Sequence, residues 1–286
     1  MKFRTELAGY LELAKPRITA LLLVVALTSY AIASGPLFTL WGFFVVFASV
    51  GSLGAGIFAL NHWMERNQDK LMARTAERPI PSGKISEARA FWFGTLFTAL
   101  GLGLSVWWGN WLTGGIALFV AVSYLALYTP LKYKTAYHTA IGALPGAAPP
   151  LAGWAIATGT VDLYAWVLFG VLFLWQFPHF LSIEMMYRED YAKADIKVLP
   201  VVDTTGVHVA WQIVVPIVLL IALGVVPVLI GTGTWITTVL AVGLGGLFLV
   251  FGIRAVWTRQ VLHARHLLRA SVIYLPLVFI VLYFRP

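Results

Sequence analysis

Asn61, Glu65 and Asp69 recur at i, i+4 and i+8 in "ALNHWMERNQDKLMART" (59–75), where an apolar segment runs into charge. On a helix that spacing stacks three oxygen-bearing side chains along one face. Hard oxygen donors gathered at a membrane surface suit Mg²⁺, which takes a few carboxylates and leaves its other positions to water and phosphate oxygens. Arg66, Lys70, Arg74 and Arg78 lie among and after them and can hold a diphosphate directly. The same residues also fit a solvated helix end whose charges balance one another. Spacing alone does not choose between the two.

A second cluster lies in "WQFPHFLSIEMMYREDYAKADIKVLP" (175–200). Gln176, His179, Met186 and Asp190 fall near one helical face, and Pro178 loosens the helix there. Polar groups inside a span are expensive and are functional suspects by default. His179 is either a direct substrate contact or a hydrogen-bonding residue between helices. Glu184 reads most simply as an intrahelical partner of Arg188, and Asp195 and Asp203 as linker charges. A third stretch, "LYTPLKYKTAYHTAIGALPGAAPPLAGWAIATG" (127–159), pairs Lys132 and Lys134 with a Gly/Pro-rich helix. Both lysines are candidates for phosphate contact or for anchoring at the membrane surface. Gly142 and Gly146 permit close helix approach, while Pro145, Pro149 and Pro150 bend the helix. His263 and His266, in "RQVLHARHLLR", sit among arginines and read as a basic interfacial anchor for the last helix.

The elements that must position these groups are membrane helices. Of 286 residues, 60% are hydrophobic and 11% charged, with mean hydropathy +0.84, which excludes a soluble globular domain. There is no cysteine, so disulfides, thiolate catalysis and cysteine-ligated metals are excluded. No GxxxxGK[ST], GxGxxG or HExxH pattern occurs. The N-terminal stretch lacks a signal-peptide cleavage site and is unlike a transit peptide. Nine segments are apolar and long enough to span a bilayer: 16–34, 38–64, 88–107, 112–129, 138–157, 163–186, 208–230, 234–253 and 268–284. The expected fold class is an all-α integral membrane protein of nine transmembrane helices, forming a single domain over 1–286. Long polar linkers at 65–87 and 187–207 each follow the second helix of a four-helix group, which suggests two halves, helices 1–4 and 5–8.

The net charge of +8 reflects orientation rather than nucleic acid, for which a basic soluble face is missing. Nearly all Lys and Arg fall on one side of the spans, Arg285 alone on the other. The positive-inside rule then places the N-terminus in the cytoplasm and the C-terminus outside. Trp107, Trp108, Trp111 and Trp235 mark the external interface. A secondary transporter, the reading from another class, calls for charges near the bilayer midplane. Here the charges lie at one surface.

The chain resembles the UbiA-type intramembrane prenyltransferases, most closely the branch that farnesylates protohaem IX. The first signature of that branch appears as Asn61, Glu65, Asn67, Asp69, Met72, Arg74, Thr75, Arg78 and Pro79. The second resembles "YTPLKYKTAYHTAIGALPG" and the third "WQFPHF…DYAKADIKVLP", while "KPR" at 15–17 matches the start of the first helix. Glu65 and Asn67 replace two usual aspartates, Tyr133 and His138 a usual Arg and Asn, and Asp195 a usual Gly. The resemblance implies a UbiA-like helical bundle, with farnesyl diphosphate and haem B as substrates and Mg²⁺ as cofactor. It implies metal ligation by Asn61, Glu65, Asp69 and Asp190, with Arg74 assisting catalysis. It implies substrate contacts by Arg17, Arg78, Lys132, Lys134, His179 and Lys193. A haem A synthase or a cytochrome oxidase assembly factor is an implied partner, alongside the lipid bilayer. A UbiA-type enzyme for another acceptor, a quinone precursor or a chlorin, is the nearest alternative. A reporter fused after Pro286 is expected to be active only when folded outside the cytoplasm, and cytoplasmic activity would reverse the assigned orientation.

Overall fold

The computed structural model describes residues 2–73, 75–193 and 196–284, and in these it is predominantly helical, without strands. Nine helices among the described residues are long and apolar enough to cross a membrane: Pro16–Leu37, Leu40–Asp69, Glu87–Gly109, Trp111–Leu131, His138–Thr158, Leu163–Met186, Val207–Leu229, Trp235–Thr258 and Val261–Tyr283. They are the nine expected spans, numbered here in that order. A further helix, Lys2–Leu13, precedes them.

Local chemistry sets the boundaries. Thr39 caps span 2 by accepting from the Gly42 N–H, Asn110 caps span 4 through the Thr113 N–H, and Asp162 caps span 6 through Tyr164 and Ala165. Thr234 and Thr237 close a reciprocal capping box on span 8. Spans 2, 8 and 9 differ most from the sequence expectation, span 8 running on to Thr258 rather than ending at 253. Span 2 stays helical to Asp69, so all of Asn61, Glu65 and Asp69 lie on regular helix. Span 9 begins at Val261 rather than 268, because Ala264 and Leu267 are fully buried and the stretch expected as an interfacial anchor is its first turns.

The chain forms two compact units, divided at 133/134, 147/148 and 161/162. The first holds spans 1–4 and the second half of span 5. The second holds the first half of span 5 and spans 6–9. The division thus falls inside span 5 rather than between helices 4 and 5, at the point where Pro149 and Pro150 withhold backbone donors and interrupt the helix. Helix 9, expected outside both four-helix groups, packs on spans 6 and 8.

In the first unit span 2 packs along span 3 at glycine contacts. A Cβ on Gly101 would stand 2.5 Å from the backbone nitrogen of Leu53, and one on Gly56 would meet the backbone of Thr98. The segment Pro149–Thr158 lies against span 1, where the Ser29 hydroxyl donates to the Pro150 carbonyl at 2.7 Å. In the second unit span 6 is flanked by spans 7 and 9. Tyr164 donates to the Leu282 carbonyl at 2.7 Å, and the Trp175 indole to the Ser271 carbonyl at 2.7 Å. Replacing Gly101 with Leu is expected to force spans 2 and 3 apart, costing about 1–3 kcal/mol or more. The check is a lowered unfolding midpoint in detergent, with Gly243→Leu, whose Cβ position is open, as the unaffected control.

Candidate active site

The first unit gathers the oxygen face of span 2. Asn61, Glu65 and Asp69 are 2%, 2% and 4% exposed, so the solvated-helix-end reading does not hold in this structure. Each is met by a cation. Lys15 donates from Nζ to Asn61 Oδ1 at 2.9 Å, and Lys132 Nζ donates to Glu65 Oε1 at 2.9 Å. One Arg78 nitrogen reaches both Asp69 oxygens at 2.8 Å and lies 3.7 Å from Glu65 Oε2. Asn61 also donates to the Thr129 hydroxyl at 3.3 Å.

Sequence explains how these groups arrive. Pro16 opens span 1, and Lys15 before it takes a left-handed backbone with φ 46° as its N-cap. Arg78 is delivered by the turn after span 2, which is closed by the Thr75 hydroxyl donating to the Asp69 carbonyl at 2.8 Å. Lys132 follows a π-helical turn at Ser123–Tyr128, a feature frequent at functional sites. The Thr129 hydroxyl donates back to the Tyr124 carbonyl at 2.9 Å within that turn.

Outside the spans, burial pushes the Lys15 ammonium down to about 7, against the raising pull of Glu65. Burial, then the charge of Glu65, raises the Tyr133 phenol, so Tyr133 stays a neutral donor where the resembled family has a usual Arg. Two carboxylates therefore face three basic groups in a water-poor site. Carboxylate and amide oxygens on one helix face are hard donors of the kind Mg²⁺ accepts, so the residues fit that ion. No group of three His, Asp or Glu forms a metal site among the described residues, and further donors would come from phosphate oxygens and water.

The other expected site residues are placed differently. Arg17 is exposed on the first turn of span 1, and Lys134 is exposed beyond Lys132. Arg74 lies outside the described residues, as does Asp195. Asp190 is half-buried and Lys193 exposed on the short helix Arg188–Lys193 of the second unit. His179 is held between helices: Ser271 Oγ lies 2.8 Å from its Nδ1, and its ring stacks on Trp175 at 4.4 Å. Glu184 does not pair with Arg188. It is buried, accepts from the Thr139 hydroxyl at 3.2 Å and lies 3.5 Å from His138 Nε2. Gln176 donates to the Ala143 carbonyl at 3.0 Å.

Lys15, Thr129, Thr139 and Glu184 were missed as site or contact residues from sequence. Lys15 stood in the "KPR" match, but nothing in the spacing singles it out over Arg17. Glu184 was visible as a carboxylate within an apolar run.

The UbiA prenyltransferase family model matches residues 22–281. A protein of Solibacter usitatus named protoheme IX farnesyltransferase is 43% identical, over 94% of this chain and 96% of that one. One of the same name from Opitutus terrae is 40% identical, over 96% and 92%. Among solved structures, a digeranylgeranylglyceryl phosphate synthase has TM-score 0.79 at 20% identity, covering 97% of each chain. A UbiA homologue from Archaeoglobus fulgidus, solved bound to GPP and Mg²⁺, has TM-score 0.65 at 17% identity, covering 96% of this chain and 99% of that one. At these identities the solved structures speak for the fold alone. The His179–Ser271 contact yields a direct check. His179→Ala and Ser271→Ala are each expected to lower stability by about 1 kcal/mol. Loss of haem affinity in His179→Ala, with haem affinity retained in Ser271→Ala, would separate a substrate contact from this structural bond.

Proposed function

We infer that this chain, which belongs to the UbiA prenyltransferase family, is a membrane-embedded prenyltransferase that moves the farnesyl group of farnesyl diphosphate onto a vinyl group of protohaem IX. Relatives of near-equal length that bear this activity in their names support the acceptor and donor. The observation in the structure that carries the reading is the buried Asn61–Glu65–Asp69 face with Lys15, Arg78 and Lys132 against it.

Buried ion pairs are weak contributors to stability, because desolvation offsets their attraction. Three cations collected in one buried place therefore need another explanation, and a diphosphate supplies it. Arg78 uses one nitrogen on Asp69 and keeps further N–H donors for phosphate oxygens. Lys132, and Lys15 when protonated, add point charges that stabilise negative charge growing on the leaving group, usually the largest catalytic term. Asn61, Glu65 and Asp69 would hold Mg²⁺. When bound, that ion supplies Lewis-acid charge to the departing diphosphate.

The allylic C–O bond breaks with its electron pair leaving on diphosphate. The vinyl π pair forms the new bond to C1 of the farnesyl chain. Water adds to the resulting cation and loses a proton, giving the hydroxyethylfarnesyl side chain of haem O. Apolar spans around the site keep water from the farnesyl cation before the haem reacts.

Metal ligation by Asp190, catalytic help from Arg74, and substrate contacts by Arg17, Lys134, His179 and Lys193 belong to the same proposal and rest on the resemblance of their sequence stretches. On this reading the N-terminus and the charged linkers are cytoplasmic in a bacterial inner membrane, and the product passes to a haem A synthase or a cytochrome oxidase assembly factor. Membranes carrying the protein, incubated with haem B, farnesyl diphosphate and Mg²⁺, are expected to form haem O, identified by its mass. Asp69→Ala is expected to lower turnover at least 100-fold, about 3 kcal/mol of lost transition-state stabilisation, while the protein still inserts. Glu65→Asp, which keeps the charge, is expected to be milder. Near-normal turnover of Asp69→Ala at low Mg²⁺ would overturn the site assignment.

A further inference from the structure

The second unit contains a cavity of ≈ 80 Å³ between the charged ends of spans 6, 7 and 8. Its wall includes Met185, Arg188, Asp203, Gly206, Val256 and Arg259. Two arginines thus border a space large enough for several waters or one tetrahedral oxyanion. Neither arginine takes part in an ion pair among the described residues.

The carboxylate in the same wall is engaged by its own turn. Asp203 Oδ1 accepts from the Thr205 hydroxyl at 2.7 Å and the Gly206 N–H at 2.9 Å, while Oδ2 accepts from the Val209 N–H at 3.0 Å. Arg259 is fixed at the C-cap of span 8 with φ 52°, a left-handed backbone uncommon for a residue other than glycine. Its guanidinium donates to the Thr205 carbonyl, tying the end of span 8 to the turn before span 7.

We propose that this cavity binds the phosphate of an anionic phospholipid headgroup. Basic pockets between transmembrane helices on the side facing the anionic leaflet hold such headgroups. The cavity lies at the helix ends that the charge distribution assigns to the cytoplasmic side. Its wall is apolar at Met185 and Val256, as acyl chains leaving the site require. Trp211 on span 7 and Trp257 on span 8, 66% and 85% exposed, stand next to this end, and indoles favour headgroup depth. Free phosphate shares the headgroup's chemistry but has no use for the apolar wall or the indoles.

The full-length protein in detergent is titrated separately with phosphatidylglycerol, phosphatidylcholine and inorganic phosphate. Bound lipid is read by native mass spectrometry and the unfolding midpoint by thermal shift. Phosphatidylglycerol is expected to bind saturably and raise the midpoint, with little response to the other two. Arg188→Gln combined with Arg259→Asn, which keeps a residue tolerant of the left-handed backbone, is expected to weaken that binding roughly tenfold. Arg188→Gln alone, at an exposed side chain, is expected to weaken it about threefold, and tests the site even if the double variant misfolds. Arg254→Gln with Arg265→Gln, which removes as much charge without touching the cavity wall, is expected to leave the binding within about twofold. An equal loss in that control pair, indifference of the Arg188 variant, or full stabilisation by inorganic phosphate alone would overturn the assignment.

Discussion

The first unit is organised by the requirement that two carboxylates buried on span 2 be met by ionic partners. Glu65 and Asp69 are almost fully buried, and an unpaired charge in such a place is prohibitive. Their partners come from separate parts of the chain. Lys132 is 67 residues from Glu65, Arg78 is nine from Asp69, and Lys15 is 46 from Asn61. Satisfying these bonds fixes the start of span 1, the turn after span 2 and the end of span 4 around one helix face. The glycine contacts between spans 2 and 3 then bring the backbones close on another side of that helix.

Such an arrangement is a poor route to stability. Well-packed apolar residues in place of a buried ion pair often serve as well or better. What the charges provide is preorganisation. Donors and acceptors already stand where a diphosphate's charge must be met, so little reorganisation is needed as the leaving group departs. The π-helical turn before Thr129 and the left-handed backbone at Lys15 are local irregularities at the same site. Both accompany residues that reach the oxygen face.

The second unit solves a related problem with hydrogen bonds between segments. Gln176, His179 and Glu184 lie on one apolar helix, and each finds a partner on a neighbouring segment: Ala143, Ser271 and Thr139. Gly146 leaves room for the Gln176 amide, which a Cβ there would strike. Polar side chains in these helices therefore knit the unit together, and the bond at His179 also orients a ring that stacks on Trp175.

Hydrophobic run length determined the nine spans, because a bilayer demands about 20 apolar residues per crossing whatever the packing. Helical periodicity was enough to place Asn61, Glu65 and Asp69 on one face, since that depends only on 3.6 residues per turn. The motif around them, read as a resemblance, pointed to the family. Sequence did not determine which cations meet which oxygens. Lys15 and Arg17 are both basic residues, two positions apart, and only the fold of the turn at Pro16 carries Lys15 to Asn61 while Arg17 is exposed. Glu184 had an adequate partner one helical turn away in Arg188, yet it is buried against Thr139 and beside His138 from another segment. The division inside span 5 and the packing of helix 9 on spans 6 and 8 were likewise settled by tertiary contacts. Local rules act along one helix, whereas ion pairing and close packing depend on distances between helices, and those exist only once the chain has folded.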